Sequence, residues 1–276
     1  MTEQELKAQL QALAQNEYRV PEGIDHFELA LEMMWQLGST DAELRDELIY
    51  RTLLKWATNE VLSHKQLSAL LAIALDDDHL FYRLGERDTN SVFTRAFSLL
   101  VIVLPLYVHR HEAFLTELQI GETLSAILRY LPQENDLRGY VDGKGWAHAT
   151  AHAADVLDEL AQCPEIDRLG LTEILAAIRA KMSVADSVFI YEEDERMAYA
   201  ALSLIRRGTL SEAEIETWIR SFSPIETVGD EKHDRHRLVN VKNFLRSLYF
   251  QAWHRHIAEF IELPVSETLY EISKFK

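Results

Sequence analysis

The sequence predicts an all-α protein, a HEAT/armadillo-like α-α superhelix of helical pairs. Three observations lead there. Apolar residues recur at helical rather than strand spacing along nearly the whole chain. Only 10 Gly and 6 Pro interrupt 276 residues, too few for the frequent turns of a sheet-rich fold. Five helices, centred near residues 49, 95, 152, 199 and 247, recur at about 48 residues, each after a partner helix, close to the ~40–47-residue period of such repeats. The expected architecture is a single solenoid domain over residues 1–276, with about five helix pairs and an N-terminal helix.

Taken in order, the first helix spans Glu3 to Gln15. Pro21 opens a second, Ile24 to Leu37, with Ile24, Phe27, Leu31 and Met34 on one face. Ser39, Thr40 and Asp41 offer N-caps for a third, through Trp56, and Ser63 caps a fourth, to Leu75. A fifth runs from Asp88 to Leu104, where Pro105 is expected to end or kink it. One or two more lie between His109 and Tyr130, interrupted near Gly121. A central helix covers Lys144 to Ala161, and another Leu171 to Met182. Glu192 to Arg207 ends at Gly208, a C-cap residue. Ser211 opens a capping box for Glu212 to Phe222. Residues 224–237 read as a charged loop, Leu238 to Ile261 as a long helix, and Pro264 with a short tail ends the chain.

The net charge is -17, from 45 acidic and 28 basic side chains. Such a surface repels phosphate backbones and anionic headgroups, so neither nucleic acid nor a membrane is an expected partner. The single cysteine, Cys163, excludes an internal disulfide and suits a reducing cytoplasm. The opening residues carry no signal-peptide pattern, and the apolar run Ala96 to Val108 is shorter than the ~20 residues of a bilayer span.

Plotted at 100° per residue, four helices carry narrow polar strips. Asp88, Ser91, Arg95 and Ser98 form the first; His148, His152, Asp155 and Glu159 the second. Glu192, Glu195, Arg196, Tyr199 and Ser203 form the third, and Asn240, Asn243, Ser247, Gln251 and His254 the fourth. Each is either the solvated edge of a buried helix or one wall of a shared concave groove. Arg95 with Asp88, and Arg196 with Glu192, read as charge pairs; Arg95 and Glu195 are the expected partners of the central histidines.

His148 and His152, four residues apart, can meet one metal ion from one helix face, with Asp155 beside them. The zincin motif fails, because Ala149 stands where its Glu belongs. The alternatives are a polar, ligand-binding network and ordinary half-exposed histidines. No nucleophile elbow, Walker loop or dinucleotide-binding glycine pattern is present.

Four blocks, ERDTNSVFTRAFSLL, DLRGYVDGKGWAHATAHAADVLDELA, EDERMAYA and NVKNFLRSLYF, resemble the bacterial family called domain of unknown function 2785. The resemblance covers about Leu37 to Tyr249. Where the family pattern has Ser, this chain has Ala96, so that hydroxyl is not essential here. The resemblance implies an all-helical, superhelical fold and no particular activity.

The expected function is binding of a protein partner or small polar ligand in a concave groove. The expected site residues are Asp88, Ser91, Arg95, Arg138, Lys144, Trp146, His148, His152, Asp155, Glu195, Arg196 and Asn243. The alternative is a hydrolase, metal-dependent or not. There Arg95, Arg138 and Lys144 would hold an anionic substrate, and His148 or His152 would act as general base. The cofactor, if any, is unspecified.

Overall fold

Helix starts follow the short polar side chains that can cap them. Thr2, Asp25, Ser63, Asp167, Ser211 and Asp230 each accept from the backbone N–H groups of a first turn. The computed structural model describes residues 1–275. Among these, α1 (Glu3–Gln15) and α2 (His26–Trp35) precede a π-helical stretch (Glu43–Tyr50) that continues into α3 (Arg51–Thr58). Then come α4 (His64–Ala74), α5 (Ser91–His111) and α6 (Glu117–Tyr130). The strands β1 (Tyr140–Val141) and β2 (Gly145–Trp146) form one small hairpin. The rest is helical: α7 (Ala149–Gln162), α8 (Arg168–Met182), α9 (Glu193–Arg206), α10 (Glu212–Arg220) and α11 (Glu231–Arg255). A 3-10 turn (Glu259–Ile261) then leads into α12 (Glu262–Ile272). The protein is all-α apart from that hairpin.

Two compact units divide the chain. Met1–Gln119 with Gln133–Val156 make the first; Ile120–Pro132 with the chain from Leu157 onward make the second. In the first, α3 and α4 both pack on α5, and α2 packs on α4. Val92, Phe93, Ala96, Leu99, Val101, Ile102 and Leu106 of α5 are fully enclosed. By length and composition α5 could cross a membrane, but 78% of its most apolar window is buried inside the protein. In the second unit α9 packs on α8 and α11, and α12 on α10 and α11, around Met197, Ala201, Phe244 and Leu248.

Five expectations change. Pro105 does not end α5, which runs on to His111; the hydrogen bond that proline deletes is outweighed by the buried Leu104 and Leu106 on either side. Gly121 does not interrupt α6, because an exposed glycine costs a helix only about 1 kcal/mol. The charged segment after Pro224 becomes helical at Glu231, where Asp230 caps His233 N. Pro264 sits in the first turn of α12, where a missing N–H costs nothing, so the tail is a helix. The largest change is at the centre: residues 140–146 form the hairpin, and α7 starts only at Ala149.

Candidate functional site

The hairpin is built on glycines. Gly143 and Gly145 adopt φ of +73° and +79°, a region other residues enter at a cost. Tyr140 then faces Trp146, and Val141 faces Gly145. Gly145 also lies against the π-helical stretch. A Cβ there would stand 2.8 Å from Ala42 Cβ and 3.1 Å from Arg45 Nη2.

Arg45 is the residue the hairpin rests on. Its side chain is wholly buried. Nη2 donates to the carbonyls of Lys144 (2.8 Å) and Trp146 (3.2 Å), and Nη1 to the carbonyl of Ser39 (2.6 Å). The guanidinium lies over Phe93 and Phe97 of α5, 4.2 and 4.7 Å from their ring centres. Its Nε stands 2.8 Å from Asp46 Oδ1, close enough to attract but not aligned for a hydrogen bond. Burial pushes the Asp46 carboxyl up to about 6, against the pull of the Arg45 charge.

A second network ties residues 134–138 to residues 82–91. Arg95 and Glu134 form a buried bidentate pair, Nε to Oε2 at 2.6 Å and Nη2 to Oε1 at 2.9 Å. Arg95 Nη1 donates to Ser91 Oγ (2.8 Å) and to the carbonyls of Tyr82 and Arg83. Asp136 accepts from Asp88 N (3.0 Å) and from Arg138 Nε (2.8 Å), and holds the Arg138 guanidinium above its ordinary pKa. Arg138 Nη2 also donates to the Thr89 carbonyl (2.7 Å), and Lys144 Nζ to Asn90 Oδ1 (2.8 Å).

Both networks end on one cleft of about 680 Å³. Ser39, at the end of one Arg45 bond, lines it; so do Thr89, Asn90 and Ser91, held by Arg138, Lys144 and Arg95. Trp35, Gln36, Gly38, Thr40, Thr94, Asp78, His79, Tyr82 and Arg83 complete the lining with Glu3, Met34 and Glu86. Glu86 accepts from the Thr89 and Ser91 hydroxyls, which hold its carboxyl below the ordinary range. Gly38 lets the chain pass close to α5: a Cβ there would collide with Thr94 Oγ1.

Of the residues expected in a site, Ser91 therefore lines the cleft. Arg95, Arg138 and Lys144 brace its wall, and Asp88 joins through its backbone. Arg95 pairs with Glu134. Asp88 Oδ1 instead lies 3.7 Å from Arg138 Nε.

Trp146, His148 and His152 form a ladder of rings behind the hairpin. Tyr140 meets Trp146 edge-on, Trp146 stacks on His148 at 4.8 Å, His148 meets His152 at 5.8 Å, and His152 meets Phe97 at 5.6 Å. Both histidines are buried, at 7% and 6% exposure. His148 is not on the helix but just before it, at φ +57°. His152 Nδ1 faces the Ala96 carbonyl at 3.1 Å, so that nitrogen carries the proton. Neither histidine lines the cleft, nor does the half-buried Asp155 one turn further along α7. Among the described residues no group of three or more His, Cys, Asp or Glu is arranged to hold a metal ion, so the expected His148, His152 and Asp155 set does not form one.

Glu195, Arg196 and Asn243 belong to the second unit. There Glu195 accepts from Ser247 Oγ (3.1 Å) and Gln251 Nε2, joining α9 to α11. Asn240 ties down residues 184–189 through Val184 O, Ser187 O and Phe189 N. Arg196 is half-exposed on α9 and Asn243 half-buried on α11.

Sequence reasoning missed Arg45, Glu134, Asp136, and the cleft residues Trp35 and Thr94. Arg45 left a signal. It falls in register with Leu48, Ile49 and Leu53, on the face its own helix buries, where a charge must find partners.

The molecule is thus an all-α protein with a braced polar cleft. The model of the family described as "Protein of unknown function (DUF2785)" matches residues 80–250. The chain belongs to that family, in agreement with the resemblance of its motifs. No curated protein and no solved structure matches it.

Proposed function

We propose that the protein binds a small polar ligand in the cleft of its first unit. One observation carries this reading: a single hairpin braces both walls of the cleft, through Arg45 to Ser39 and through Lys144 to Asn90. Buried guanidinium groups are expensive to desolvate, and using them to fix polar walls pre-organises a site. The cleft's size falls within the ~300–1,000 Å³ of small-molecule sites. The hydrolase reading has less behind it. Arg95 and Arg138 are paired with Glu134 and Asp136, Lys144 alone of the three cations faces no carboxylate, and neither histidine lines the cleft.

The helical-repeat superhelix, as one domain, is part of the same proposal. What supports it is the order of packing inside each unit: consecutive helices pair (α4 with α5, α8 with α9), and alternate ones stack (α3 with α5, α9 with α11). A cytoplasmic place goes with it, on the single cysteine, and indifference to nucleic acid, on the acidic charge.

Thermal unfolding against a panel of sugars, amines, amino acids and carboxylates tests the binding function. A ligand of the cleft raises the melting temperature in proportion to occupancy, and a bulky change at Thr94 removes the effect. A panel with no shift at millimolar concentration refutes the reading.

A further inference from the structure

We propose that the ligand is a neutral carbohydrate, one face of which stacks on Trp35. The inference rests on the cleft being a ligand site and adds its chemistry.

Trp35 is the last residue of α2 and lines the cleft, yet it is 68% exposed. A single exposed apolar ring is ordinary on a protein surface; this one is set apart by lining a polar cleft. The indole is also positioned. Its centre lies 5.9 Å from the ring of His79, tilted by 45°. His79 is 2% exposed, and its Nδ1 is held 2.7 Å from Asp76 Oδ1. A fixed aromatic ring offers a flat platform to the apolar C–H face of a sugar.

The charges narrow the class. Glu3, Asp78 and Glu86 line the cleft against the Arg83 guanidinium and the Lys144 ammonium that holds Asn90, leaving the balance negative. That balance repels carboxylate and phosphate ligands. A compact cation fits less well than a sugar. Glu3 already accepts from Ser39 Oγ, and Glu86 from Thr89 and Ser91, so two of the three carboxylates are engaged. Cationic ligands are held by cages of several aromatic faces, and among the described lining residues Trp35 alone carries a largely exposed ring.

The remaining lining matches hydroxyl groups, each of which donates and accepts at once. Gln36 and Asn90 offer amides that do both, Thr40 and Thr94 offer hydroxyls, and Asp78 accepts. A ring with an apolar face and a polar rim satisfies the indole and these groups together.

The test is titration calorimetry of the full chain with maltotriose, cellotriose and chitotriose, with hits from a neutral glycan array added, and spermidine and glutamate as comparison probes. Trp35→Ala should fold normally, because the ring is mostly exposed. At least one neutral saccharide should bind, about tenfold more weakly in Trp35→Ala. It should bind unchanged in Trp253→Ala, which removes an exposed indole from the second unit. Saccharide binding indifferent to Trp35→Ala would overturn the assignment. Binding of spermidine or glutamate without any saccharide would also overturn it, while leaving a ligand-binding cleft intact. Silence from every probe would overturn both.

Discussion

Arg45 Nη2 donates to the carbonyl oxygen of Trp146, 101 residues later, at 3.2 Å. The same nitrogen reaches the Lys144 carbonyl. A buried cation thus holds the backbone of a two-residue-strand hairpin that has little cohesion of its own.

Replacing Arg45 should therefore unfold more than a side-chain contact. Arg45→Met keeps the apolar stem against Phe93 and Phe97 but leaves three carbonyls and Asp46 without their cation. The expected loss is about 3–5 kcal/mol, read from urea denaturation. A loss below about 1 kcal/mol would mean that the hairpin stands unaided.

Two glycines separate backbone strain from packing. Gly143 and Gly145 have similar positive φ, but nothing lies within 4 Å of a Cβ at Gly143, while Ala42 and Arg45 crowd one at Gly145. Gly143→Ala should cost about 1 kcal/mol. Gly145→Ala should cost about 1–3 kcal/mol more, the range for overpacking. Equal costs would show that the hairpin moves freely over Arg45.

Asp46 gives a pH signature. Its folded pKa, about 6, lies above the ordinary 3.8, so the folded protein holds a proton between those values that the unfolded chain releases. Its favourable contribution is complete below about pH 4 and is lost as pH rises through about 6. Relative to wild type, Asp46→Asn should gain stability from pH 4 to about pH 6 and level off above it. Parallel stability curves across that window would contradict the burial of this carboxyl.

Glu134→Gln should be costly, because it leaves the Arg95 guanidinium buried without its counter-charge. About 3–5 kcal/mol is expected. Replacing both with apolar residues, Arg95→Met with Glu134→Leu, should recover part of the loss. If the double variant is no better than the single one, Arg95 matters through its bonds to Ser91 and residues 82–83 instead.

His152→Ala distinguishes a packed residue from a ligand-binding one. It removes a buried hydrogen bond to Ala96 and an edge contact to Phe97. The cost should be about 2 kcal/mol, or roughly 4–8 °C in melting temperature. Binding in the cleft should survive in the folded fraction. Abolished binding with an unchanged melting temperature would return His152 to the site.

What could be read from the letters was local. The limits of α1, and the capping box of Ser211 and Glu214 on α10, depend on residues within one turn of each other. Helical segments also cover residues 49, 95, 152, 199 and 247, near which helix centres were expected. Lys144 to Ala161 keeps helical periodicity straight through Gly145, but the positive φ of Gly143 and Gly145 turns residues 140–146 into a hairpin before α7 begins. Arg95, Arg138 and Lys144 were legible as a group but not in their roles. Their partners lie 39, 49 and 54 residues away, Glu134, Thr89 and Asn90, and no periodicity carries that distance. Trp35 was passed over because an indole on an amphipathic helix ordinarily faces the core.

The Arg45 bonds also set an order of assembly. The first unit contains Met1–Gln119 but is closed by Gln133–Val156, after an excursion of the chain through Ile120–Pro132. Pairings of such high sequence separation form late, after the loop between them has been confined. During synthesis, Arg45 and Arg95 emerge long before Trp146 and Glu134 exist to receive them. A nascent chain halted near residue 119 would carry Arg95 without its Glu134 counter-charge and Arg45 without two of its carbonyl acceptors, and should stay soft and protease-sensitive until residue 146 clears the ribosome.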